Sequence, residues 1–201
     1  MPALWLALLH ALHLPYLVAG AGLWCAASLL AAFAAAPLWR KKEPGRARLY
    51  TLGLFALLAY LPSSWAAYTL RVYRDNIFPA LCLFFFAGMG AALRAVLCPA
   101  EKKRLWPWLL AAGAGLACGY LDREDAGLFL LPFGAAATVI LLVVLVRARR
   151  WRACAAQLIP YGMLAAAVLA FCGMNQSHYG LFARSDFSEG PFAAAMGAMM
   201  R

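Results

Sequence analysis

Arg71 and Arg74 stand one helical turn apart and are followed at once by Asp75; the charged run Asp122-Arg123-Glu124-Asp125 comes later, and His178 later still. Two guanidinium groups at that spacing can hold an anionic headgroup or a carboxylate substrate through charge-assisted hydrogen bonds. The candidate ligand-binding residues are therefore Arg71, Arg74, Asp122, Asp125 and His178, all expected on one face of the molecule with His10, His13, Asn175 and Asp186. The plainer expectation for the two arginines is pairing with the acidic run across a wet surface, where such pairs contribute little.

A metal ion would need histidines converging with carboxylates. His10, His13 and His178 are scattered, with neither HxH nor HExxH, so no metal site is expected. Cys25, Cys82, Cys98, Cys118, Cys154 and Cys172 form no CxxC and read as small, polarizable packing residues. A disulfide among Cys82, Cys118 and Cys172, which fall toward the same ends of their apolar runs, stays open. Asn175-Gln176-Ser177 matches a glycosylation sequon, a triplet common by chance. No catalytic residue is assigned and no cofactor is expected, because no recognisable catalytic signature is present.

These residues are carried on a chain that is mostly hydrocarbon. Hydrophobic residues make up 66% and charged residues 13%, with a mean hydropathy of +0.75. A soluble domain is about half apolar and about a quarter charged, so the lipid bilayer is the first expected partner. At roughly 20 residues per crossing, the 201 residues allow about six spans once loops are set aside. The net charge of +10 sits in short clusters between apolar runs, as in loops held at an anionic leaflet. No basic stripe or binding signature points to nucleic acid.

We therefore expect an all-α, polytopic integral membrane protein with six transmembrane helices, at 16–38, 49–70, 77–97, 105–121, 126–146 and 153–174. An interfacial helix, Pro2–Leu14, precedes them, because Pro15 breaks the long uncharged run. Cleavage of a signal peptide near Ala19-Gly20-Ala21 is the alternative, but the basic n-region it needs is missing. An extracytoplasmic tail, 175–201, follows the spans.

Direction comes from the loops. Arg40-Lys41-Lys42-Glu43-Pro44-Gly45-Arg46-Ala47-Arg48, Glu101–Arg104 and Arg147–Arg152 are assigned to the cytoplasmic side. Together with Arg94, these loops put thirteen of the eighteen basic residues inside, while six of the eight acids lie outside. Both termini are extracytoplasmic on this count, in the cytoplasmic membrane of a bacterium. Trp39, Tyr50, Tyr73, Trp106, Trp108, Tyr120 and Trp151 fall near span ends, as interfacial anchors do. No internal repeat aligns, so an inverted-repeat transporter gains no support.

No Asp, Glu, Lys or Arg falls in the middle of an expected span, and Arg94, a turn from its inner end, can snorkel. Proton-coupled pumps and intramembrane acid–base enzymes keep at least one ionisable group there, so neither is expected. Pro62-Ser63-Ser64 reads as a proline kink whose freed carbonyl is met by serine hydroxyls, and Gln157 near Pro160 as an interhelical amide bond. Gly115 and Gly119 form GxxxG; Ala27, Ala31 and Ala35 share one helix face, and Gly162, Ala166 and Ala170 another. These are read as intramolecular helix-packing faces rather than a dimer face.

After Ser188-Glu189-Gly190-Pro191, a helix start with proline in its first turn, Phe192, Ala195, Met196 and Met199 recur at helical spacing. The pattern suggests either a short helix lying on the membrane or, as the preferred reading, the first element of a further extracytoplasmic domain. The leading functional expectation is a membrane anchor or subunit that positions an extracytoplasmic domain or protein partner. The alternative is a substrate-binding subunit of a transporter. A small six-span protein with a small-residue first helix is similar in outline to the substrate-binding component of energy-coupling-factor transporters, although those keep their termini inside. A third reading is a membrane enzyme acting on a lipid headgroup through Arg71, Arg74 and the outer acids.

Overall fold

Prolines and charged loops decide where the helices stop. The computed structural model describes residues 2–60, 77–97, 105–123, 125–183 and 198–199. The helices are α1 (Pro2–Ala11), α2 (Tyr16–Lys42), α3 (Ala47–Ala59), α4 (Phe78–Leu97), α5 (Trp106–Asp122), α6 (Ala126–Arg147), α7 (Trp151–Ala156) and α8 (Ile159–Tyr179). The described residues contain no strand. Four stretches are long and apolar enough to cross a membrane: α2, α4, α6 and the run Trp151–Tyr179 that joins α7 to α8. Arg71, Arg74, Pro62-Ser63-Ser64, Cys98, Glu124 and, apart from residues 198–199, the tail helix expected after Pro191 lie outside the described residues.

Two helices end in the same unusual way. His13 has φ 51° and Arg149 φ 52°. After α1, the His13 N–H donates to the His10 carbonyl at 3.1 Å and the Leu14 N–H to that of Leu9 at 3.0 Å. After α6, the N–H groups of Arg149 and Arg150 donate to the carbonyls of Val146 and Leu145, each at 3.0 Å. Both are Schellman turns, whose left-handed position normally takes glycine. A side chain there costs roughly 1–2 kcal/mol.

The expected sixth span does not run as one helix. Pro160 has no N–H for the Ala156 carbonyl, and its ring crowds the preceding turn. That turn tightens: the Gln157 N–H donates to Cys154 O and the Leu158 N–H to Ala155 O, each at 3.1 Å. Gln157 is buried, but its side-chain amide reaches back to the Ala153 carbonyl at 3.4 Å rather than across to another helix. The interhelical bond expected of it is replaced by a local one at the break.

α4 and α5 form the centre, with α2 and α6 against α4, α3 against α2, and α8 against α5. Phe85, Leu109, Leu116, Leu130, Leu141 and Leu145 are buried among them. A smaller cluster, Trp24, Ala27 and Ala80, joins α2 to α4. The Trp24 indole N–H also donates to the Leu58 carbonyl of α3 at 3.0 Å. The outer surface is apolar as well, with Val18, Phe33, Leu57, Leu128, Phe133 and Leu169 all exposed. Apolar surface on this scale suits contact with lipid better than water.

Candidate functional site

α5 turns small residues toward two neighbours at once. A Cβ built on Gly115 would lie 2.5 Å from the Leu81 carbonyl oxygen and 2.6 Å from the Phe85 nitrogen of α4. Gly88 answers from α4: a Cβ there would lie 2.6 Å from the Trp108 carbonyl oxygen and 2.7 Å from the Ala112 nitrogen of α5. Neither position admits a methyl group without moving backbone. Close approach of this kind supplies the van der Waals contact that holds helices together in lipid. Gly113 faces α8, where a Cβ would meet Met163 Sδ at 2.6 Å and Pro160 Cα at 3.1 Å.

The other small residues divide. A Cβ on Gly119 would crowd the side-chain end of Leu130 at 3.3 Å and make ordinary contact with Leu81 and Phe78, so the GxxxG pair holds one obligate glycine and one tolerant one. Ala27 is fully buried against α4, and Ala31 is half-buried. Gly162, Ala166 and Ala170 are exposed, with open space beside Gly162, so this face of α8 packs on no other helix of the described chain. Gly88 escaped sequence reasoning. Its small-xxx-small partner, Ala92, is fully buried, and that spacing was the available signal.

At the other end of α5 the candidate ligand-binding residues are already engaged. Arg123 donates through Nε and Nη2 to the two carboxylate oxygens of Asp125, both at 2.8 Å. Its guanidinium lies 5.2 Å over the Phe78 ring, within cation–π range. Asp125 occupies the N-cap position of α6 but makes no capping bond, because its carboxylate is turned to Arg123. Asp122 is buried where α5 passes into α6, within electrostatic reach of Cys82 and Cys118. His178 is exposed in the last turn of α8, beside Tyr179 at 6.4 Å between ring centroids.

Arg71 and Arg74 fall outside the described residues. The described members of the set thus have separate settings: Asp122 in the packed interior, Asp125 in an ion pair, His178 on the surface. Among the described residues no three His, Cys, Asp or Glu side chains converge on a metal position. Cys82, Cys118 and Cys172 are free thiols, so the disulfide left open between them is not formed. Asn175 lies within α8 and donates its amide to the Ala183 carbonyl at 2.7 Å, drawing the chain after Gly180 back onto the helix. The sequon asparagine is therefore occupied.

What this arrangement can do is hold helices at fixed, close range. Comparison with protein-family models, curated proteins and solved structures gives no match for the chain.

Proposed function

We propose that this chain is a multi-pass protein of a bacterial cytoplasmic membrane that serves as an anchor or subunit for an extracytoplasmic domain or partner. The observation that carries the reading is the reciprocal contact of Gly88 and Gly115 with opposing backbone, set in a core of Phe85, Leu109 and Leu116. Such packing suits a rigid scaffold. Proton-coupled pumps and intramembrane acid–base enzymes keep ionisable groups at mid-depth; the buried polar residues among those described are Ser28, Asp122 and Gln157, with Asp122 at a helix end.

The chain crosses six times on this reading, with both termini extracytoplasmic. α5 has 17 residues and is about 26 Å long at 1.5 Å per residue, close to the roughly 30 Å of a hydrocarbon core. α4 and α6 run the same way, with Phe78 against Phe129 and Phe86 against Phe133, and both carry arginine in the last turn. α2 also ends in Arg40, Lys41 and Lys42. Cations gathered at one end of these helices support a shared cytoplasmic side.

A photo-crosslinking residue placed at Tyr179 or Leu181, on the exposed stretch around the end of α8, tests the proposal in native membranes. One discrete protein adduct formed from the extracytoplasmic side is expected. Labelling of those positions from the cytoplasm, or solute uptake by proteoliposomes holding this chain alone, overturns it.

A further inference from the structure

Between α2 and α3, at the end where Arg40 leads into the basic loop, lies a groove of about 260 Å³ lined by Leu29, Phe33, Ala36, Leu52 and Phe55, with Arg40, Arg48 and Thr51 at its polar end. Its lining runs along α2 from Leu29 to Arg40, about 16 Å at 1.5 Å per residue. That is about half of the roughly 30 Å hydrocarbon core, the depth of one leaflet. Both guanidiniums are exposed, and neither makes a hydrogen bond or ion pair among the described residues. Glu43, the acid of this loop, is taken by the Tyr50 hydroxyl, which donates to its Oε2 at 2.8 Å. Thr51 turns its own hydroxyl to the Ala47 carbonyl at 2.8 Å, so it places no competing donor in the groove.

An apolar trough one leaflet deep, opening between two cations, is complementary to one kind of molecule. We propose that the groove holds an acyl chain of an anionic glycerophospholipid whose phosphate sits between Arg40 and Arg48. Guanidinium groups suit phosphate oxygens through paired N–H bonds. Lys41, Lys42 and Arg46 beside them raise the local positive potential. A zwitterionic lipid would fill the same trough but bring an ammonium toward the arginines, so the site selects for net negative charge. The inference rests on the membrane-embedded reading above, with the Arg40–Arg48 loop at a bilayer surface.

The full chain, purified from membranes and exchanged into vesicles of equal phosphatidylglycerol and phosphatidylethanolamine, provides the test. Lipid retained after mild detergent extraction is counted by native mass spectrometry. The unaltered chain is expected to keep phosphatidylglycerol in excess, and Arg40→Gln with Arg48→Gln to lose that excess by roughly tenfold or more. Thr51→Phe, which fills the groove and leaves both arginines, is expected to lose the lipid as well. Arg149→Gln with Arg150→Gln removes equal charge elsewhere and is expected to keep it. Retention in Thr51→Phe, or an equal loss in the Arg149 and Arg150 variant, reduces the effect to diffuse surface charge and overturns the site. A chain that floats with neither lipid overturns the membrane reading itself, an outcome distinct from floating without selectivity.

Discussion

The indole N–H of Trp24 donates to the carbonyl oxygen of Leu58 at 3.0 Å, joining α2 to the end of α3. Leu58 stands in the last turn of α3, where carbonyls have no intrahelical i+4 donor. A side chain from a neighbouring helix supplies a donor there instead. An unmet carbonyl in a hydrocarbon setting is expensive, which explains why a tryptophan points inward at this level.

Trp24→Phe keeps an aromatic ring but removes the donor, and is expected to lower stability by about 1–2 kcal/mol. Thermal unfolding of the two chains in detergent measures the loss, and an unchanged melting temperature would remove the indole donor from this account.

Gly88→Ala and Gly115→Ala each force a methyl group against opposing backbone and are expected to destabilise by about 1–3 kcal/mol. Gly119→Ala meets a movable leucine end and is expected to cost less, below about 1 kcal/mol. Gly162→Ala, beside open space, gains helix propensity and is expected to be neutral or stabilising by up to about 1 kcal/mol. The same unfolding assay ranks all four; a Gly115→Ala chain as stable as Gly162→Ala would contradict the packing.

Ser28 is fully buried in α2, and its hydroxyl makes no hydrogen bond among the described residues. Ser28→Ala removes a polar group left without a partner and is expected to stabilise by about 1 kcal/mol. A clear drop in melting temperature for this variant would mean that the hydroxyl is used.

His13→Gly and Arg149→Gly relieve the left-handed positions that close α1 and α6. Each is expected to raise stability by about 1 kcal/mol, whereas His13→Ala and Arg149→Ala, which keep a Cβ, are expected to give no gain. The glycine-minus-alanine difference at each site is the quantity to measure.

Helix starts were largely legible in the residues, because charge and proline mark most of them, whereas α8 runs on to Tyr179, past the expected end at 174. Helices begin at Tyr16, Phe78, Trp106 and Ala126, within one residue of the expected starts, since the transition from charged loop to apolar run is abrupt. The break at Gln157 was less legible: Pro160 was visible, but whether its helix kinks or parts depends on how the preceding turn bonds. The site was harder still. Spacing put Gly162 and Ala166 on one face as readily as Gly115 and Gly119, and spacing alone cannot say which face meets a neighbour. Gly88 became visible only when α5 lay against it. Asp122 looked like part of a wet acidic run, yet it is buried at the end of α5.

Two backbones as near as those of α4 and α5 must share a single curvature. A bend imposed on one, by a thinner bilayer or by load on the loop at its end, reappears in the other, because no side chain stands between them at Gly88 or Gly115 to absorb it. The pair therefore bends as one rod of double width.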